Sequence, residues 1–395
     1  MDKFFITAFI ISQFPWIGFG FMNLDSQPWP YIAFGIYMLC MHKAIKMSNR
    51  EILLCIFVFV GMIFSILNTK TYETIDLLRF FYNYTFFFLV YKCVSVYLIK
   101  KPYPYKAHLI CNVIWILFCA VEYVSPEAKE FFTPLRTSEG RGLTSLAPEP
   151  TAFAMYLLMS SMILFAANYQ AKSNIFNIYT INILFIVFVA KSSMIILYLG
   201  IALVIYILVV LLNKRIILLF ISCILTIIFI YTLKIYLEDY DGNVRALSLL
   251  NIALNGGGNV FEVDASINSR LEHAVLSIHS SVLNKFLPGG FIGYGEHCGY
   301  LIKYYNGFFD CDDIYPMKLN SWIGEYVYTL GIFGIVFVMY FFIEIHKNNL
   351  KKFAFNAFTF LLLFSAVALA FPMTPILFAV LKRQKKEFDY KSIFH

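Results

Sequence analysis

Residues 52–69 read ILLCIFVFVGMIFSILNT, a run without one charged side chain. Wound as a helix at about 1.5 Å per residue, it reaches nearly the ~30 Å thickness of a bilayer's hydrocarbon core. Similar apolar runs lie at 4–22, 29–41, 80–98, 107–124, 150–168, 175–190, 192–212, 216–236, 320–343 and 353–371, with 376–386 as a further short segment. The fold class expected from them is an all-α polytopic membrane protein of about 12 transmembrane helices.

Composition supports this reading. Of 395 residues, 60% are hydrophobic and 14% charged, and the mean hydropathy is +0.72. That is far more apolar than a water-soluble domain tolerates. The net charge of +7 would suit a nucleic acid or an acidic partner if the basic residues formed one patch. They fall instead in short clusters between apolar runs, at 42–50, 100–106, 214–215, 347–352 and 382–386. With the N-terminus inside, each cluster up to the eleventh run faces the cytoplasm, as the positive-inside bias requires. The run at 4–22 is read as an uncleaved first span, because no small-residue cleavage site follows it.

The cluster at 382–386 would then face outward unless the chain crossed once more. Pro372 and Pro375 flank a Met-Thr pair, so a hairpin is expected at 371–375, with a short last helix ending inside. Three parts follow: a bundle over 1–236 that includes the outer segment 125–149, a large, partly helical outer loop over 237–319 between spans nine and ten, and the closing spans and tail over 320–395. The loop is acidic, Gly256-Gly257-Gly258 makes a turn in it, and Asp264 to Leu287 reads as a helix with apolar positions at Ile267, Leu271, Ala274, Val275 and Ile278.

Of the eight cysteines, most lie inside apolar runs, Cys40, Cys55, Cys111, Cys119 and Cys223 among them, where they act as small hydrophobes. Cys298 and Cys311 lie in the outer loop, where a disulfide between them would persist. The 43 Phe and 27 Tyr are spread over the spans as lipid-facing and interfacial packing. Tyr304 and Tyr305, with Phe308 and Phe309, stand apart in the loop as candidate sugar contacts.

Two features bear on chemistry. The stretch Arg141-Gly142-Leu143-Thr144-Ser145-Leu146-Ala147-Pro148-Glu149-Pro150-Thr151 runs straight into the sixth span. Glu149 there reads either as ordinary helix-start chemistry, since the helix dipole favours an anion, or as a carboxylate at the water interface able to take a proton from a hydroxyl. Arg136, Arg141 and Arg270 lie on the outer side against the positive-inside bias. Each reads either as a surface ion pair or as part of a cluster that grips an anion such as a diphosphate bidentately. His273 and His279, six positions apart, have no ligand at zinc spacing and read as solvated helix histidines. Asp310, Asp312 and Asp313 read as a solvated acidic cluster, and no metal site is expected.

At Glu149-Pro150-Thr151 the chain resembles the O-antigen polymerase and ligase superfamily, the Wzy-like proteins, in which a similar turn leads into a central span. Asn268-Ser269-Arg270, then Pro288-Gly289-Gly290 through Gly293-Tyr294-Gly295, resembles the family's arginine followed by a proline and glycine run. Asn320 at the start of the tenth span, with Gly331 and Gly334 along it, extends the similarity, which covers 136–345 by motif and the whole chain by topology. Leu319 stands where ligases typically carry a histidine, which favours a polymerase. The resemblance implies glycosyl transfer on the periplasmic face of a bacterial inner membrane, without metal, nucleotide sugar or other cofactor. Undecaprenyl-diphosphate-linked glycans would be donor and acceptor, with membrane lipids and a chain-length regulator as partners and no nucleic acid. It implies Glu149, Arg270 and Arg141 as catalytic residues, and Arg136, Arg245, Tyr304, Tyr305 and Asn320 as substrate contacts. The rival within the family is a ligase passing finished glycan to lipid A core. Outside it stand a flippase, disfavoured by the lack of an internal repeat and by the scarcity of charge in the spans, where Lys191 comes nearest to a buried ion, and a scaffold without catalysis.

Overall fold

The computed structural model describes residues 2–18, 26–43, 45–133, 142–169, 177–214, 265–294, 300–305, 308–309, 319–345, 350–365 and 367–393, with scattered helical positions between 228 and 254. Among these residues the chain is all helical, without a strand. The expected span 216–236, Arg136, Arg141, Arg245, Cys223, Cys298, Cys311, the Gly256–Gly258 turn and the Asp310–Asp313 cluster lie outside them, apart from a few of the scattered positions in 216–236.

The helices are α1 (Asp2–Ser12), α2 (Trp29–Cys40), α3 (Asn49–Asn68), α4 (Thr74–Lys100), α5 (Tyr105–Val124), α6 (Pro126–Phe132), α7 (Pro150–Ala166), α8 (Ile178–Leu184), α9 (Ser193–Lys214), α10 (Ala265–Leu283), α11 (Trp322–Leu330), α12 (Ile332–Ile345), α13 (Leu350–Ser365) and α14 (Met373–Ile393). Their starts carry the expected chemistry. Ser48 and Glu51 close a capping box on α3, Ser125 and Asn177 cap α6 and α8, and Pro126 and Pro150 occupy first-turn positions where no amide is needed. Helix α8 widens into a π-helical turn at Phe185–Ala190 and stops at Lys191 in left-handed backbone.

Three expected runs take another form. Among the described residues the run at 4–22 is helical to Ser12 and not over 13–18, because Pro15 has no amide to continue the ladder, and Gln27 N–H reaches the Pro15 carbonyl. The run at 320–343 breaks at Gly331, whose φ of 57° and ψ of −133° suit glycine alone. The hairpin near Pro372 lies slightly earlier, over 367–372 among the described residues, and Pro375 falls inside the first turn of α14. The last helix is also longer than the expected segment, running from Met373 to Ile393. From Met373 to Leu381 it is buried, packed between α4 and α7 at the centre of the bundle.

At Gly331 an added Cβ would lie 2.2 Å from the Phe286 carbonyl oxygen, where Ile332 N–H also bonds. An alanine there is therefore expected to lower the thermal stability of the purified protein, since the backbone strain alone costs about 1–3 kcal/mol. Gly35, within α2, has nothing within 4 Å of its would-be Cβ. Alanine there is expected to leave the melting temperature unchanged or raise it. Equal melting temperatures for the two variants would refute the assignment of strain.

Apolar side chains cover much of the outer surface as well as the core. Helices α3 and α5 are long and apolar enough to cross a membrane, and only 33% of each apolar window is buried within the protein. Leu53, Ile56, Phe59 and Leu67 on α3, and Ile110, Leu117 and Val124 on α5, point outward. Shorter apolar helices are α2, α7, α8 with its π turn, α9, α12 and α13. Inside, His108 Nε2 and Asn112 Nδ2 meet the Ser160 hydroxyl at 2.8 and 2.7 Å, joining α5 to α7. Lys92 of α4 and Glu51 of α3 form a buried ion pair at 2.7 Å, with Lys382 of α14 at 3.6 Å from the same carboxylate and 3.1 Å from Glu344. Lys191, the expected nearest case to a buried ion, is exposed. A buried ion within an expected span is instead Lys92, paired with Glu51 just ahead of another.

The two ends of the bundle differ. At one end Asp2 pairs with Lys101 at 2.8 Å, Arg383 donates to the Lys101 carbonyl, and the Glu51 cluster gathers α3, α4, α12 and α14. At the other, Asn68 Nδ2 donates to the Pro288 carbonyl at 2.7 Å and Phe291 N–H to Thr69 Oγ1. The loop after α10 is thereby tied to the far end of α3.

Candidate functional site

The approach to Glu149 is built on a buried carboxylate. Glu122, near the end of α5, accepts the Thr144 N–H at 2.8 Å, the Thr144 hydroxyl at 2.7 Å and the Ser145 N–H at 2.6 Å. Ser145 has φ of 52°, and its hydroxyl donates to the Trp115 carbonyl. Gly142 lies against the end of the π turn, where a Cβ would fall 2.2 Å from the Ala190 carbonyl oxygen. Lys129 of α6 is fully buried close by, and its amine has no hydrogen-bond partner among the described residues. Burial pushes that amine down to about 8, against the opposing pull of Glu122 and Glu130. This frame fixes the exit of the turn and delivers Pro148-Glu149-Pro150 to the mouth of α7.

Glu149 occupies the N-cap of α7 in extended backbone, yet its side chain makes no capping hydrogen bond. Capping chemistry would turn the carboxylate onto the first amides of the helix. Here it is directed to Arg270, with Glu149 Oε1 3.6 Å from Arg270 Nη2. The arginine side chain is 9% exposed and the carboxylate 38%. One partner is thus sunk in protein while the other remains open to solvent.

Helix α10 carries Arg270, but it buries a different face from the one that apolar periodicity selects. Ile267 and Ala274 are buried as expected, whereas Leu271, Val275 and Ile278 are half-buried. Asn268, Arg270, Glu272, His273, Ser277 and Ser281 are the polar residues it buries. The face turned to the bundle is therefore largely polar, and it packs on α11, α13 and α9. Asn268 Nδ2 anchors the first turn to the Phe308 carbonyl at 2.7 Å.

His273, one turn after Arg270, is 4% exposed, which corrects its reading as a solvated histidine. Its Nδ1 accepts the Asn320 backbone N–H at 3.0 Å, and Tyr294 stands edge-on to the ring. Burial, with the charge of Arg270 acting in the same sense, pushes its pKa down to about 4, so the ring is neutral near pH 7. His279 is half-buried and bonded to the Tyr305 hydroxyl at 2.9 Å.

Glu149 and Arg270 open onto a cavity of about 280 Å³, whose wall does not include His273 or His279. Glu149, Arg270, Asn320 and Thr151 form its polar side, and Pro15, Trp16, Met155 and Phe371 its apolar side. Trp16 stacks on Phe371 at 5.6 Å, with their planes 21° apart. The volume lies near the lower limit of about 300 Å³ for small-molecule pockets, enough for a ring-sized group and too little for a long lipid tail. A desolvated guanidinium beside an accessible carboxylate can hold an anion and accept a proton within the same space.

Of the expected site residues, Glu149, Arg270 and Asn320 are brought together although 171 positions of sequence separate the first from the last. Tyr304 and Tyr305 are not in the cavity wall. Tyr304 is exposed beside Tyr300 and Lys303, and Tyr305 packs against Phe309. Sequence reasoning missed Trp16 and Phe371 as wall residues, gave Thr151 no role of its own, and misjudged His273. Two signals were present: the break at Pro15, which strands an indole at the helix end, and the spacing of three that puts His273 on the face of Arg270. Among the described residues no three His, Cys, Asp or Glu side chains gather as metal ligands. No protein-family model, curated relative or solved structure matches this chain.

Proposed function

We propose that the chain is a polytopic membrane glycosyltransferase that polymerises undecaprenyl-diphosphate-linked repeat units at the periplasmic face of a bacterial inner membrane. The observation that carries this reading is the Arg270–Glu149 pair at one cavity, at the end of the bundle opposite the Lys101, Lys382 and Arg383 cluster. Two features support about a dozen crossings: apolar side chains of α3 and α5 face out while polar ones bond within, and Lys101, Lys382 and Arg383 gather at one end. Interior helices such as α14 are shielded by neighbours, so a run too short to be recognised alone still crosses.

In the proposed reaction, a sugar hydroxyl of the acceptor unit attacks the anomeric carbon of the donor glycan. The bond from that carbon to the diphosphate oxygen breaks, and the diphosphate leaves with the electron pair. Arg270 neutralises the charge that develops on it, and Glu149 accepts the hydroxyl proton. Trp16 and Phe371 provide an apolar wall on which a sugar ring can pack. Arg141, Arg136 and Arg245 are proposed as further contacts to the diphosphates, and a chain-length regulator as a partner.

The deciding experiment is the lipopolysaccharide gel of a strain lacking the gene. A polymerase leaves core capped with one repeat unit, and complementation restores the ladder. Bare core would assign the protein as a ligase instead, and an unchanged ladder would remove it from this chemistry.

A further inference from the structure

Asn320 stands two positions before α11, and hydrogen bonds to α10 and α13 hold its segment. The Ser321 hydroxyl caps α11 at Gly324 N–H and also bonds the Phe364 carbonyl. The Asn320 amide has a different partner, His273 Nδ1, 47 positions away on α10. We propose that His273 is a positioning residue for the cavity: its Nδ1 holds the Asn320 backbone, and thereby the polar wall, in register with Arg270 one turn away on the same helix. The inference rests on the reading of this cavity as the site of glycosyl transfer.

The chemistry of the ring fits that task. An Nδ1 that accepts a hydrogen bond puts the proton of the neutral imidazole on Nε2. Nε2 is buried and has no hydrogen-bond partner among the described residues. Desolvation and the charge of Arg270 both disfavour protonation at Nδ1, so its lone pair is available throughout the neutral range. Behind the ring, Tyr294 packs edge-on at 5.9 Å and is itself held against Tyr328 at 5.3 Å. The imidazole is thus fixed from the rear and bonded at the front. A shift of Asn320 would carry one side of the cavity away from the guanidinium.

The two ring nitrogens can be separated by substitution. An asparagine at 273 puts its Oδ1 near the place of Nδ1, a glutamine puts its amide near the place of Nε2, and a phenylalanine keeps volume without either. Three variants, His273→Asn, His273→Gln and His273→Phe, are compared in the deletion strain for polymer formation. As purified proteins they are compared for hydrogen exchange at the Asn320 amide. His273→Asn is expected to keep polymer formation and amide protection near wild type. Gln and Phe are expected to lose each on the order of tenfold, the effect of one hydrogen bond. Full activity with Gln but not Asn would place the function at Nε2 and overturn the proposal. So would equal behaviour of all three variants, whether near wild type or inactive. If the wild-type gene made no polymer while exchange at Asn320 followed the expected order, the glycosyltransferase reading would fail and the hold on Asn320 would stand.

Discussion

Replacing Arg270 by alanine is expected to lower polymer formation on the order of 10²- to 10³-fold, the usual effect of removing one group that stabilises charge in a transition state. The size follows from its setting. The side chain is 9% exposed and is the one cation among the described residues of the cavity wall, so alanine removes the charge that would face a departing diphosphate. Lysine at 270 keeps the charge but not the planar fork, and is expected to recover only part of the loss. Glu149→Gln removes the proton acceptor while preserving shape, and is expected to cost about 10²-fold or more. Tyr304, exposed and outside the cavity wall, is the control, and alanine there is expected to leave the ladder nearly unchanged. The measurement is ladder length in the deletion strain at matched membrane protein levels, with transfer from a purified lipid-linked unit alongside. Full-length ladders from inserted Arg270→Ala and Glu149→Gln proteins would end the assignment.

The second large effect concerns stability. Lys92→Met is expected to cost about 3 kcal/mol, the lower end of the range for a buried pair that loses one partner. The remaining Glu51 carboxylate would still have Lys382 at 3.6 Å and the Ser48 N–H at 2.8 Å, which is why the upper end is not expected. Adding Glu51→Gln should restore most of the loss, because the desolvated charge then disappears with its partner. Thermal unfolding of the detergent-purified single and double variants checks this. A double variant no more stable than Lys92→Met alone would contradict it.

Much of the fold is legible in hydropathy because α3, α5, α7 and α9 are continuous apolar segments, and their ends agree with the expected runs to within a few residues. Hydropathy fails where the backbone or the neighbours decide. It passes through Pro15, since proline and the residues after it are apolar enough, although the missing amide ends α1. It undervalues α14, whose apolar part is short but enclosed by α4 and α7. It also picks the wrong face of α10, because it equates buried with apolar. A helix that covers a polar mouth turns its arginine, histidine and serines inward. The buried Lys92 was overlooked for a related reason. A single charge in a long apolar helix has no meaning until its partner, 41 positions away, is known. At the site, Glu149, Arg270 and Asn320 were legible through their order and setting in the sequence. Trp16 and Phe371 were not, since an aromatic side chain is ordinary in such a chain and only the fold brings these two together.

The central place of α14 bears on how the protein is made. Translation proceeds from the N-terminus, so α4 and α7 emerge long before the segment that fills the space between them, and Ala370 and Phe371 of the cavity wall come just ahead of that segment. Until then the nascent bundle has an open seam along its axis and no finished site. The proposed site is therefore completed late in synthesis, and a premature stop codon before Met373 would remove the axis of the bundle rather than trim its edge.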